Sequence, residues 1–188
     1  YPCFINEYYD DEGWWALAWI DVYDHTHHEP YLNMAESIFT DMSGGWSDDC
    51  SGGIWWSKKR QYKNAIANEL FLSVAAHLAN RASTAQQRAN YLAWANREWN
   101  WFAQSGMINS RHLINDGLNA HCVNNGRTAW SYNQGVILGG LADLYRANSD
   151  HSLLTQAQAI ATAVLSDQSL VDKANILHEP CEPRCGAD

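Results

Sequence analysis

Apolar residues recur at three- and four-residue spacing along most of the chain. That period predicts helices over Gly13–Asp24, Pro30–Met42, Asn64–Arg81, Ala85–Gln104, Gln134–Ala147 and His151–Leu165. In the second, Tyr31, Met34, Ala35, Ile38 and Phe39 fall on one stripe. The linkers DHTHHE, ASTA and NSDH are short and polar, so successive helices pair as antiparallel hairpins, three in all. A weak internal repeat supports the pairing. Gly13–Tyr23 aligns without gaps to Gly135–Tyr145, with Asp21 on Asp143 and Tyr23 on Tyr145, and the register continues through Ala35 on Ala157 and Ile38 on Ile160. Asn68–Leu78 fits the same frame less well. The expected fold is all-α, with the more apolar first helix of each hairpin inside.

The long connections fall between hairpins, at Ser43–Tyr62 and Ser105–Ser131, and are rich in Gly, Asn, Asp and Trp. Both lead into the N-terminus of an inner helix, as Ile5–Glu12 does for the first hairpin. If the hairpins stack side by side, the three segments share one face, and function concentrates in such loops.

Composition narrows what that face binds. At 188 residues and 46% apolar content, the chain is expected to form a single globular domain over 1–188. A net charge of −9 repels phosphate backbones and argues against nucleic acid as a partner. No run of about 18 apolar residues is present, so no membrane span is expected. Ten Trp and nine Tyr are a heavy load for this length. Some serve the core, Trp19 foremost, but those beside Gly and Asp in the predicted loops suit a neutral sugar, whose apolar face packs on an aromatic plane. The five Cys, at 3, 50, 122, 181 and 185, show no zinc-site spacing and read as the disulfides of a secreted protein. Cys50 and Cys122 lie in adjacent loops of one face and are expected to pair; Cys181 and Cys185 would close a small ring, leaving Cys3 over. The cluster His25, His27, His28 with Asp24 reads as a solvated turn at the opposite end, not a metal site.

The first segment reads Glu7-Tyr8-Tyr9-Asp10-Asp11-Glu12-Gly13-Trp14-Trp15. Acids at a helix start commonly cap exposed N–H groups and complement the dipole. Here two adjoin between aromatic pairs. Glycoside hydrolysis needs two carboxylates in different protonation states, and a retaining enzyme needs them about 5–5.5 Å apart. Aromatic walls that desolvate one of them would raise its pKa. The second segment carries Gly52-Gly53-Ile54-Trp55-Trp56 and then Asn64; the third carries Asn133 and Gln134. Paired glycines let backbone approach a ligand, and amides suit hydroxyls. Plain helix capping is the alternative for Asn64 and Asn133, and inner-helix core for Trp14 and Trp15.

The strings YYDDEGWWALAWI, GGIWWS, YKNAIANELFLSVAAHLANR, MINSRHLINDGL and TAWSYNQGVILGGLADLY resemble glycoside hydrolase family 76 along essentially the whole chain. That resemblance implies an (α/α)6 barrel of six inner and six outer helices, and a retaining α-1,6-mannanase or cell-wall transglycosylase needing no metal or organic cofactor. It also implies Asp10 as nucleophile and Asp11 as general acid/base; spacing alone leaves those roles exchangeable. Trp14, Trp15, Trp55 and Trp56 are candidates to line the sugar path, and Asn64, Asn133 and Gln134 to hold hydroxyls. Three hairpins cannot close a six-hairpin ring. The chain is therefore expected to be part of a longer domain, completed by a missing segment or partner, or else a glycan-binding module without turnover.

Overall fold

The computed structural model describes residues 4–185. Its six α-helices are α1 (Tyr9–Thr26), α2 (Glu29–Ser43), α3 (Ala65–Arg81), α4 (Ala85–Phe102), α5 (Ser131–Asn148) and α6 (His151–Ser166). Each odd-numbered helix pairs with the one after it. α3 stands between α1 and α5 and packs on both, while α2 touches α3 and α4 touches α5 from behind. The row of inner helices and the flank of outer helices are those expected from the hairpin pattern.

Two inner helices begin earlier than their apolar periodicity predicts. α1 starts at Tyr9, not Gly13, although Tyr8 offers no capping side chain. The neighbouring loop supplies the missing partner: the carbonyl of Trp56 accepts the Tyr9 N–H at 2.9 Å. Asp10, Asp11 and Glu12 then complement the positive end of the helix. α5 starts at Ser131, not Gln134, and its first N–H donates to the Glu179 carboxylate at 3.0 Å. α3 is capped conventionally, the Asn64 side chain accepting from Ala67 N–H.

The repeat survives in three dimensions. Tyr9 and Ser131 open their helices, Thr26 and Asn148 close them, and the interval is the one that sets Gly13 on Gly135. Both helices end on a left-handed residue, His27 (φ 52°) and Ser149 (φ 61°), whose N–H returns at 2.7 Å to the carbonyl of Tyr23 or Tyr145. This is a common helix ending, and the two tyrosines are the pair aligned in the sequence.

Packing is deepest on α3, where every residue from Ala65 to Ala76 is buried. α1 approaches it closely at Gly13, where a methyl group would lie 2.7 Å from the Leu70 Cβ. α1 stands at the edge of the row and leaves Trp14, Trp15 and Val22 exposed, so the inner helix is not everywhere the more buried of its pair. At the other edge Leu165, Ile176 and Leu177 are exposed. The connections carry a recurring tight turn. Asn109, Asn119 and Asp172 each accept two backbone N–H groups on one side-chain oxygen, two and four residues ahead. Each turn has its left-handed residue three places on, at His112, Cys122 and Asn175.

Cys50 and Cys122 are bonded, with Cα atoms 5.1 Å apart, and so are Cys181 and Cys185, at 4.7 Å. Cys3 lies outside the described residues. The histidines 25, 27 and 28 sit exposed at the α1–α2 turn, and Asp24 beside them is ion-paired with Arg81.

Candidate active site

The N-termini of α1, α3 and α5 open on one face, and the loops crossing it are tied to them in a common way. The fourth residue of each inner helix is buried and polar: Glu12, Asn68 and Gln134. The Asn68 amide accepts the Ile54 N–H at 2.7 Å and donates to the carbonyls of Ile54 and Asn64. The Gln134 amide accepts the Ile114 N–H at 2.9 Å and donates to the carbonyls of Ile114 and Trp130. Glu12 accepts the Asn6 N–H at 3.0 Å. A buried backbone N–H must find an acceptor, and these side chains supply one for each loop.

Beside the first of these clamps, at the start of α1, lies the acidic pair. Asp10 is partly buried, and each of its oxygens takes a donor: the Trp56 indole N–H reaches Oδ2 at 2.8 Å and the Asp11 N–H reaches Oδ1 at 3.1 Å. Burial raises its pKa, while the two N–H groups pull the other way. Asp11 is exposed, its Oδ2 touched at 3.2 Å by the Asn6 side-chain amide. Because α1 begins at Tyr9, both acids stand in its first turn, one after the other. Glu12 follows, fully buried beside Asp41. Burial first, then Asp41, pushes its pKa to about 7, against the Lys58 ammonium at 3.2 Å.

The loop carrying Trp55 and Trp56 is fastened from below by Lys63. Its ammonium is buried among the carbonyls of Ser47, Asp49, Gly52 and Gly53, all within 3.1 Å, and lies 4.9 Å from the Trp55 ring. Burial lowers its pKa to about 8, with Asp49, Glu98 and Asp48 opposing. Trp101 closes the underside, its indole donating to the Cys50 carbonyl at 2.9 Å. Gly52 (φ 142°) and Gly53 (φ 83°) are pressed against Trp101, where a methyl on Gly53 would lie 2.3 Å from the ring. The paired glycines thus make room for Trp101, not for a ligand. Beyond Trp56 comes Tyr62, which donates to the Asp116 carboxylate and accepts from Asn125 at 2.9 Å. Tyr62 opens on a cavity of about 650 Å³ lined also by Trp55, Asn125, Arg127 and the Cys50–Cys122 bridge.

The residues singled out from the sequence divide into groups. Asp10, Asp11, Trp55 and Trp56 come together on the loop face. Trp14 and Trp15 are 45% and 48% exposed on α1, one turn below the acids, and Phe4 leans on Trp15 with ring centroids 4.9 Å apart. Trp19 packs on Tyr31, as its core reading expects. Gln134 spends its amide on the protein's own backbone, so it builds the face and does not present that amide to a hydroxyl, while Asn64 caps α3 with its side-chain oxygen. Asn133 is fully buried, its amide unpaired among the described residues. Glu12, Asn68 and Lys63 were missed. Lys63 leaves no mark in sequence because its partners are main-chain carbonyls. The clamp series emerges only once the helix starts are aligned.

Three stacked hairpins whose long loops share one face, with paired acids at an inner-helix N-terminus, belong to the (α/α)6-barrel class, of which this chain covers about half. The sequence pattern of Glycosyl hydrolase family 76 matches residues 3–188, and the chain belongs to that family. Mannan endo-1,6-alpha-mannosidase DFG5 of Candida albicans is 30% identical over 178 residues, a match covering 86% of this chain and 39% of that one. Dfg5 from Chaetomium thermophilum, solved in complex with glucosamine, superposes with a TM-score of 0.83 at 25% identity, over 97% of this chain and 47% of that one. An inactive variant of an α-1,6-mannanase from Salegentibacter sp., with two aspartates replaced by asparagine and α-1,6-mannotriose bound, gives 0.79 at 22% identity, over 90% and 50%. The chain thus spans less than half the length of the curated relative and about half of the solved structures.

Proposed function

We propose that the chain carries both catalytic carboxylates of a retaining glycoside hydrolase that cleaves α-1,6-linked mannan, and forms one domain with the rest of its barrel. The observation that carries this reading is the state of Asp10. Both its oxygens are hydrogen-bonded by fixed N–H donors, which orient the carboxylate and hold back the rise in pKa that burial causes. Such a group suits a nucleophile. Asp11 is open to solvent, which suits a residue that must exchange protons with water. The names of the curated relative and of the mannotriose-bound mannanase supply the linkage, and the inactive form of the latter has lost two aspartates.

In the reaction, Asp10 attacks the anomeric carbon as the C1–O6 bond breaks, and Asp11 passes its proton to the departing O6. Water then attacks the glycosyl–Asp10 ester, giving its proton back to Asp11 and freeing Asp10. If a sugar hydroxyl enters in place of water, the same steps make a transglycosylase. The two disulfides fit an oxidising compartment, and no described helix is long and apolar enough to cross a membrane; we infer a secreted or cell-wall site of action.

The test uses the complete protein. Asp10→Asn should abolish turnover on α-1,6-mannan and leave oligosaccharide binding largely intact. Asp11→Asn should recover on mannosides whose leaving group needs no proton. Near-normal activity in Asp10→Asn would sink the reading, and retained binding with no turnover in the wild type would favour a glycan-binding module.

A further inference from the structure

The clamp at the fourth position of each inner helix differs in one respect. Asn68 and Gln134 are amides, which accept from the loop N–H and donate to carbonyls on the other side. Glu12 has the accepting oxygen but no fixed donor. Its Oε1 takes the Asn6 N–H, and its Oε2 is buried without a donor, with the Asp41 carboxylate within hydrogen-bonding reach of the neutral acid. A helix built only to hold its loop would be better served by glutamine there. What the carboxylate adds is charge. Lys58 answers it from the loop, bridging Glu12 Oε1 at 3.2 Å and Asp41 at 2.8 Å. Asn6 stands between Glu12 and the acid pair. Its backbone N–H is on Glu12, its side-chain oxygen accepts the Tyr8 N–H at 2.6 Å, and its side-chain amide donates to Asp11 Oδ2 at 3.2 Å. Lys58, Glu12, Asn6 and Asp11 therefore form one connected line.

We propose that Glu12 is a positioning residue for Asp11: its charged carboxylate, seated by Lys58, fixes Asn6 so that the Asn6 amide aims Asp11 at the leaving oxygen, and protonating Glu12 loosens that aim. The inference rests on the mannan-cleaving reading above. The charged and titratable groups around Glu12 are Asp41 from α2, Lys58 from the loop and Tyr9 from α1, with Arg60 beside Tyr9. Burial and Asp41 favour the neutral acid and Lys58 the anion, placing the change of state near neutrality, at about 7.

A Glu12 that merely caps α1 makes a different forecast. Its replacement would alter stability and leave each folded molecule as active as before. Glu12→Gln separates the two, because Asn68 and Gln134 occupy the equivalent place with amides, and Lys58 keeps Asp41. In the complete protein, kcat/KM is measured between about pH 5 and 9 on two substrates: an α-1,6-linked mannoside, and a dinitrophenyl mannoside whose leaving group needs no proton. On the linked sugar the wild type should rise through an ionisation near pH 7. In Glu12→Gln that limb should vanish and activity near pH 8 should fall roughly tenfold, a loss in the range expected when a catalytic group is slightly misplaced. KM should hardly move, and the activated substrate should be spared. Glu12→Asp should recover part of the limb. Asn6→Ala, which leaves Glu12 in place, should reproduce the same split between substrates. A Glu12→Gln profile that keeps the wild-type limb, or a loss equal on both substrates, overturns the proposal. Activity in Asp10→Asn would instead overturn the mannan-cleaving reading beneath it, so the two failures are distinguishable.

Discussion

A buried carboxyl with a raised pKa is a burden on the fold, and Glu12 shows where the burden falls. In the unfolded chain it loses its proton near the ordinary glutamate value; in the folded protein it holds on until about pH 7. The neutral acid therefore contributes stability that is fully present below the unfolded value and lost as pH rises through about 7. Glu12→Gln should stabilise the protein by on the order of 2–3 kcal/mol at pH 8 and by little at pH 4.5, read as a pH-dependent shift in melting temperature. A variant that is both more stable and slower is the signature of a residue kept for chemistry. Trp56 offers a second residue-scale test. Trp56→Phe keeps an aromatic ring against Tyr8 but removes the N–H on Asp10. The Asp10 pKa should rise further, moving the acidic limb of kcat/KM on the activated mannoside, where Glu12 has no part, to higher pH, and kcat should fall about tenfold or more. The acid pair itself was legible in the sequence, because two adjacent acids between aromatic pairs exceed what a helix cap requires. Glu12 was not, since a third acid in the same turn looks like more of the same.

At the scale of the element, helix interiors were legible, as were the starts of α2, α3, α4 and α6, whereas the starts of α1 and α5 were not. The apolar period locates the buried stripe, but α1 and α5 begin where a neighbouring loop offers an acceptor, and that partner is distant in the chain. Gln134 illustrates the cost. Its amide suggested a ligand contact, whereas it holds both backbone groups of Ile114. Gln134→Ala should leave a buried N–H and carbonyl unpaired and destabilise the protein by about 1–3 kcal/mol, measured by denaturant unfolding. Gly13→Ala tests the packing of α1 on α3. With the Leu70 Cβ 2.7 Å from the new methyl, the helices must separate, at a cost of about 1–3 kcal/mol. The aligned Gly135→Ala meets nothing within 4 Å and should stabilise α5 slightly, as alanine does in a helix. The two substitutions, alike in sequence register, should move the unfolding midpoint in opposite directions.

Across the whole molecule, the stacking of hairpins and the meeting of three loops on one face followed from the repeat and from loop lengths, both visible in the sequence. What the row of helices leaves open at its two edges was visible only in outline. Trp14 and Trp15 are half-exposed at one edge, and Leu165, Ile176 and Leu177 are exposed at the other. Exposed apolar edges of this kind favour association. The isolated 188-residue chain should sediment with concentration-dependent mass, and Leu165→Asp with Leu177→Asp should reduce it. The Cys50–Cys122 bond ties the second loop to the third across 72 residues. On a chain-entropy model a closure of that length contributes about 4 kcal/mol, so Cys122→Ser should lower the melting temperature by several degrees.

That bond has another consequence. The stretch it brackets contains the whole of α3 and α4, including the exposed linker at Ser83 and Thr84. A protease that nicks the linker severs the backbone but not the molecule. The two pieces would migrate as one band on a denaturing gel without thiol and as two once the bridge is reduced. Cut between α3 and α4, the protein would still hold its second and third loops fastened to each other.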